Sequence, residues 1–178
     1  MSWLDTPSGR FEFAHPEKYR FTIEEIAHGL SHLCRFGGLG KWYSVAEHSV
    51  HVSRLLDGDD RIVGLLHDAH EPYTGGDIAR PIKLSFGSDE FLRLLRMTQA
   101  EIERQLLGTS AMDIAGLKAA DQTMLVIEAY TILGVSPVGW DVNPNSQNPH
   151  IDELQIHGHH PVDAERMFLD RWRELHGT

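Results

Sequence analysis

Six segments of the sequence repeat apolar residues at the spacing of an α-helix, and no segment sustains the alternation typical of a β-strand. Two of these segments begin with a capping box, one capped by Thr22 and one by Ser44, each with a glutamate three residues later. We expect an irregular opening over 1–19, loops over 73–87 and 134–149, and helices over 22–33, 44–56, 61–71, 88–107, 113–133 and 161–175. The sequence therefore predicts an all-α fold, a compact bundle of about six helices with short connections.

The length of 178 residues is expected to give one domain spanning 1–178. The single cysteine, Cys34, excludes an intrachain disulfide and indicates a reducing compartment. Residues 1–16 lack the apolar stretch of a signal peptide, and no apolar run reaches the ~20 residues needed to cross a bilayer. We therefore expect a cytoplasmic protein without a membrane partner, in a bacterial cell or a phage-infected host cell.

The formal net charge of −10 argues against broad binding to duplex nucleic acid, which depends on phosphate neutralisation by lysine and arginine. A small anionic substrate is compatible with this charge, because one bound cation and a few basic residues can invert the local potential of a pocket. The composition is unusual in its 12 histidines. Whether they are surface residues or metal ligands depends on their positions in the predicted helices.

Three predicted helices carry a polar residue of metal-ligand type on their apolar face: His48, His67 and Asp121, with Asp68 directly after His67. Burying one such side chain without a partner is costly, although a single one is usually satisfied by a backbone group. Several in helices that can converge are better explained by a shared cation. Two imidazoles and two carboxylates suit one divalent transition metal ion, with Mn, Fe, Co, Ni and Zn about equally compatible.

These residues also match a known pattern. The set His48, His67–Asp68 and Asp121 resembles the H…HD…D signature of the HD superfamily of metal-dependent phosphohydrolases. Around them, 46–49 resembles the family's EHS element and 67–71 its HDAxE element, while 74–83 resembles the TGD…P-[IV]-K loop of the 5′-deoxynucleotidase branch. The matching segments cover about a third of the chain. Two differences are the 19 positions from His48 to His67, a short spacing, and one extra residue in 73–77.

The resemblance implies an HD-type helical bundle in which His48, His67, Asp68 and Asp121 hold one divalent cation. Glu71 lies on the same side of its helix as the HD pair, so we expect it to act as general base or general acid. Three further roles are expected. Asp77 is expected to assist Glu71 in catalysis, and Arg35 and Lys83 are expected to bind phosphate. Trp42 is expected either to stack on the base or to pack in the core.

The resemblance also implies hydrolysis of the 5′-phosphate ester of a nucleotide. The substrate is either a deoxynucleoside monophosphate, giving nucleoside and phosphate, or a triphosphate such as dATP, giving nucleoside and triphosphate. Arg80 and Lys83 in a glycine-rich loop make the longer polyphosphate plausible. Because members of the family often assemble, we expect a homo-oligomer.

Two alternatives stay open. One is a sensing module that binds metal and nucleotide without turnover, although the complete ligand set and Glu71 argue against it. The other is an HD-fold di-iron oxygenase, which needs further histidine ligands; His51 and His70 are the nearby candidates, and their spacing matches poorly. The stretch 135–160 either covers the site or connects helices.

Overall fold

The computed structural model describes residues 3–109, 114 and 116–177, and this part of the chain is mainly helical. Its α-helices are α1 Ile23–His32, α2 Val45–Arg54, α3 Asp60–Leu66, α4 Glu71–Thr74, α5 Arg80–Phe86, α6 Asp89–Leu107, α7 Leu117–Glu128 and α8 Pro161–His176. Short 3₁₀ turns lie at Pro16–Lys18, Arg35–Gly38 and Ile151–Glu153, and a π-helical turn at Ala129–Leu133 follows α7. The helical architecture agrees with the predicted all-α class in its coarse form.

The N-caps of both predicted capping boxes are confirmed, but the glutamates bond elsewhere, Glu25 to the Tyr19 hydroxyl and Glu47 to backbone N–H groups of 157–159. The hydroxyl of Thr22 accepts a hydrogen bond from the Glu25 N–H at the start of α1, and that of Ser44 accepts one from the Glu47 N–H at the start of α2. These bonds satisfy backbone N–H groups that the first helical turn leaves without partners. Helices α1, α2, α6 and α8 begin within a residue or two of their predicted starts.

Two predicted boundaries are wrong. The helix expected over 61–71 ends at Leu66, and a turn separates it from α4. The loop expected over 73–87 contains α5. Pro81 does not prevent this helix, because it lies in the first turn, where the missing N–H of proline has no consequence. The start predicted at Asp113 lies outside the described residues, and within them α7 begins at Leu117.

The prediction of an irregular opening without a sheet is also wrong. A short antiparallel hairpin pairs β1, Trp3–Thr6, with β2, Gly9–Glu12. Each strand has four residues, too few for an alternating pattern to stand out in the sequence. The hairpin is anchored by Phe11, which is fully buried and packs edge-to-face against Tyr19 and Phe21.

Helix α2 lies at the centre of the bundle and is buried along residues 45–53. It packs against α1, α3, α7 and α8. The approach of α3 depends on Gly64, since a Cβ there would lie 2.5 Å from Leu56 Cδ1 and 3.2 Å from Ser53 Cα. This close contact brings the end of α3, with His67 directly after it, beside α2. No helix in the described ranges combines the length and apolarity needed to cross a membrane.

Candidate metal centre and adjoining cavity

The four predicted ligands converge on one small volume between α2, α7 and the turn after α3. His48 Nε2 lies 3.3 Å from His67 Nε2 and 3.3 Å from Asp121 Oδ1. Asp68 Oδ2 lies 3.1 Å from His67 Nε2 and 3.8 Å from His48 Nε2. His48 is buried and the His67 side chain is 9% exposed, whereas the Asp121 side chain is 42% exposed at the mouth of the group. Of these side chains, His48, His67 and Asp121 form a group that could hold a metal ion.

The other nitrogen of each imidazole faces a hydrogen-bond acceptor. His48 Nδ1 donates to Glu128 Oε1 at 2.6 Å, and His67 Nδ1 donates to the Gly64 carbonyl at 2.8 Å. In a neutral imidazole that donates from Nδ1, Nε2 carries a lone pair. Two such lone pairs and two carboxylates therefore face one another, which is unfavourable unless a proton or a cation lies between them. This donor set fits a divalent transition metal ion.

Glu128 is a functional residue that the sequence reasoning missed. Its carboxylate is fully buried and accepts from His48 through one oxygen and from Arg35 Nε, at 3.0 Å, through the other. A signal for it existed in the sequence, because Glu128 lies seven residues after Asp121 and so on nearly the same helix face. It is also the one acidic residue within the apolar run 124–129.

Arg35 is buried among carboxylates beside the metal centre. Its Nη1 lies 3.9 Å from Asp68 Oδ2 and 3.9 Å from Asp77 Oδ2. Burial alone would lower the pKa of Arg35, but Glu128 and the neighbouring aspartates raise it, so the guanidinium stays charged. Because 3.9 Å is beyond hydrogen-bond distance, Nη1 has N–H groups available for a ligand.

Glu71 is almost fully buried beside this cluster. Its Oε1 lies 3.8 Å from Lys83 Nζ, and its Oε2 has no hydrogen-bond partner within the described chain. Burial, followed by the charges of Asp68 and Asp77, raises the pKa of Glu71 well above its ordinary value. A raised pKa favours the neutral carboxyl group, which can donate a proton.

A cavity of about 740 Å³ opens beside the metal centre. It is lined by four predicted site residues other than the metal ligands, namely Arg35, Glu71, Asp77 and Lys83. The predicted base-stacking residue does not line it, because the Trp42 indole donates to the His159 carbonyl at 2.7 Å instead. Trp140, which the sequence reasoning did not select, lines the cavity.

No protein-family model matches the sequence. The chain is 31% identical over 177 residues to the uncharacterized protein YfdR of Escherichia coli (strain K12), covering 98% of this chain and 96% of YfdR. The chain belongs to the YfdR family. It is also 35% identical over 150 residues to the uncharacterized protein RCAP_rcc00048 of Rhodobacter capsulatus, over 76% of this chain and 75% of that protein.

The segment 135–160 of this YfdR-family chain runs beside the metal centre. The backbone N–H groups of Asn143 and Asn145 donate to the side chains of Gln122 and Thr123, both at 2.9 Å. Since these two residues follow Asp121 directly on α7, the segment is attached next to a metal-ligand candidate. The sequence left open whether 135–160 covers the site or only connects helices. Residues 140–142 line the cavity, so this part of the segment borders the site.

Glu47, in the EHS element, holds the end of the same segment. Its buried carboxylate accepts backbone N–H bonds from His157, Gly158 and His159 at 2.9, 3.2 and 2.7 Å. Although burial raises its pKa, the nearby His51 imidazole and the N–H groups of His157 and His159 lower the pKa of Glu47 to about 2. This role was not predicted, because the partners lie 110 positions away in the sequence.

The two extra histidines that a di-iron site would need lie elsewhere. Burial lowers the pKa of both His51 and His70, to about 4 for His70. His51 faces Glu47, with 3.8 Å from His51 Nε2 to Glu47 Oε1, and His70 Nδ1 lies 3.3 Å from Gln99 Oε1. Among the described residues, neither belongs to the group that could hold a metal ion.

Proposed function

We propose that this chain is a metal-dependent phosphohydrolase that cleaves the phosphate ester of a nucleotide, in the manner implied by its resemblance to the HD superfamily. The observation that carries the proposal is the pair of imidazole nitrogens, His48 Nε2 and His67 Nε2, 3.3 Å apart. Both nitrogens face carboxylate oxygens at the edge of a ligand-sized cavity.

His48, His67, Asp68 and Asp121 would hold one divalent cation. When bound, the ion supplies Lewis-acid activation of a water molecule and of a phosphoryl oxygen. Glu128 and the Gly64 carbonyl fix the ring orientation of the two histidines, as acceptors behind metal ligands do in proteins.

Arg35 would bind the phosphate that is attacked. The Arg35 guanidinium forms an ion pair with Glu128, and its Nη1 has no carboxylate oxygen within hydrogen-bond distance among the described residues. A planar guanidinium can donate two parallel hydrogen bonds to phosphate oxygens. Arg35 is thus positioned by a buried partner on one side and open to the cavity on the other.

Glu71 would act as the general acid. Leaving-group departure from a phosphate ester requires a proton on the departing 5′ oxygen, and a buried neutral carboxyl group is suited to supply it. The raised pKa of Glu71 supports donation over abstraction of a proton, the two roles that the sequence left open. Lys83, 3.8 Å away, would then face the carboxylate that remains after the transfer.

The cavity favours a monophosphate over a triphosphate. Arg80, one of the two residues offered for outer phosphates, lies 3.8 Å from the Asp141 carboxylate. The other, Lys83, lies 3.8 Å from Glu71 Oε1, where its charge is needed once Glu71 has given up its proton. Of the basic residues in the lining, Lys118 has no ion pair within 4.0 Å to another described residue. Two additional phosphates would carry more charge than this lining balances.

Product analysis by liquid chromatography tests the proposal. The purified protein would receive Mn²⁺, Co²⁺ or Zn²⁺ and, separately, each deoxynucleoside mono- and triphosphate. We expect nucleoside and orthophosphate from monophosphates, loss of product in Asp68→Asn, and no loss in Asp163→Asn, a surface control paired with Arg166. Nucleoside and triphosphate from a dNTP would retain the phosphohydrolase but overturn the choice of monophosphate. Metal binding without product from any substrate would contradict the proposed function and favour the sensing module.

A further inference from the structure

The cavity beside the metal centre has a polar and an apolar part. Its polar lining contains Arg35, Glu71 and the metal-ligand candidates Asp68 and Asp121, whereas Ile78, Pro81, Leu125, Trp140 and Val142 form an apolar lining. A phosphate ester needs only the polar part. The apolar lining therefore calls for a second, uncharged and flat portion of the substrate.

Trp140 differs from the other tryptophans in that its ring has no partner among the residues that the structure describes. The others are held as follows: the Arg10 guanidinium lies 4.5 Å from the ring of Trp3, Trp42 donates to His159, and Trp172 packs against His176 with 3.8 Å between ring centroids. Within the described residues, no hydrogen bond, ring contact or cation contact involves the Trp140 side chain. An indole of this kind, 37% exposed in a cavity wall, is available to a ligand.

The backbone that carries Trp140 is fixed on both sides. The Trp140 N–H donates to the Pro137 carbonyl at 3.0 Å, and the Val142 N–H donates to the Trp140 carbonyl at 2.9 Å. One residue further on, Asn143 is attached to Gln122, next to Asp121. The ring is thus presented from a turn whose position is tied to the metal centre, which lowers the entropic cost of using it as a binding surface.

From these three observations we infer that Trp140 is the stacking platform for the heterocyclic base of the substrate, and so determines specificity for nucleotides over other phosphate esters. This inference rests on the proposed function. Every base has a π-face, so stacking on an indole tolerates purines and pyrimidines alike. The chemistry therefore predicts a nucleotidase with low discrimination among bases and strong discrimination against esters that lack a base.

A binding measurement tests the inference without turnover. Tryptophan emission would be followed while dAMP, or 2-deoxyribose 5-phosphate as the base-free probe, is added in the presence of a chelator. We expect dAMP to quench the wild type and Trp3→Phe, a control whose indole is 36% exposed, and to leave Trp140→Phe unquenched. Quenching that persists in Trp140→Phe would overturn the inference.

Hydrolysis kinetics separate this inference from the function on which it rests. With Mn²⁺ present, Trp140→Ala should lower kcat/KM for dAMP about 5- to 160-fold, the equivalent of ~1–3 kcal/mol per stacked base. The same variant should leave kcat/KM for 2-deoxyribose 5-phosphate unchanged, and Trp140→Phe should retain most of the activity on dAMP. Equal losses on both esters would overturn the platform while keeping the hydrolase. A wild type that cleaves neither ester but shows the quenching would contradict the monophosphate hydrolase alone.

Discussion

Replacing Glu128 by glutamine removes a buried charge without changing the volume of the side chain. The wild-type carboxylate accepts from His48 Nδ1 at 2.6 Å and from Arg35 Nε at 3.0 Å. A glutamine offers one oxygen and one NH₂ group, so it can accept from only one of these two donors. Either Arg35 faces an NH₂ group, or His48 accepts at Nδ1 and moves its proton to Nε2, where it blocks a metal ligand.

The structure sets the size of both effects. Breaking one partner of a buried ion pair costs about 3–5 kcal/mol, and we expect the lower end because Asp68 and Asp77 still lie 3.9 Å from Arg35. Loss of an acceptor behind a metal-binding histidine weakens metal affinity by about 10- to 100-fold, or ~1.4–2.7 kcal/mol.

Urea denaturation of the metal-free protein measures the first effect, and calorimetric titration with Mn²⁺ measures the second. The matched control is Glu101→Gln, since Glu101 also accepts two hydrogen bonds from an arginine, Arg104, but lies on α6 away from the metal centre. It should change stability by less than ~1 kcal/mol and leave metal affinity intact. A folded Glu128→Gln variant with wild-type metal affinity would refute the role assigned to Glu128.

Two further predictions concern the packing that supports the site. Gly64→Ala should lower the free energy of unfolding by about 1–3 kcal/mol, because the added methyl group overpacks against Leu56. It should also weaken metal affinity by moving α3 away from α2. A thermal unfolding temperature equal to that of the wild type, both with and without Mn²⁺, would contradict this. Glu47 has a folded pKa of about 2 against an ordinary 4.5, so its stabilisation of about 3 kcal/mol is present above pH 4.5 and is lost as the pH falls toward 2. The stability difference between wild type and Glu47→Gln should shrink over that range in urea titrations, and a difference independent of pH would count against the assigned cause.

The convergence of the candidate metal ligands could be predicted from the sequence because each of them lies on a helix or beside its end. Polar residues that interrupt an apolar helical stripe point into the bundle, so His48 and Asp121 had to meet other side chains there. The same periodicity places Glu128 on nearly the same face of α7 as Asp121, so it could have been predicted to lie beside the candidate ligands. The turn that separates α3 from α4 does not disturb this reasoning, since His67 and Asp68 directly follow α3.

The parts that the sequence did not reveal depend on contacts between distant residues. Trp42 and Trp140 are both tryptophans in irregular segments, and only the tertiary fold decides which one reaches the cavity. The attachment of residues 157–159 to Glu47 is of the same kind. The hairpin over 3–12 and helix α5 were missed for local reasons, since one is very short and the other begins with a proline.

The central claim is that His48, His67, Asp68 and Asp121 form one metal centre. Equilibrium dialysis against Mn²⁺ or Co²⁺, followed by elemental analysis, tests it most directly. The most informative variant is Asp121→Asn, because that side chain is 42% exposed and its loss should leave the fold intact. We expect one ion per wild-type chain and unchanged binding in the surface control Asp163→Asn. Asp121→Asn should bind the ion at least tenfold more weakly, since loss of even an outer partner of a metal site weakens affinity by about that factor. A wild type that binds no divalent ion, or an Asp121→Asn variant that binds it as tightly as the wild type, would contradict the account.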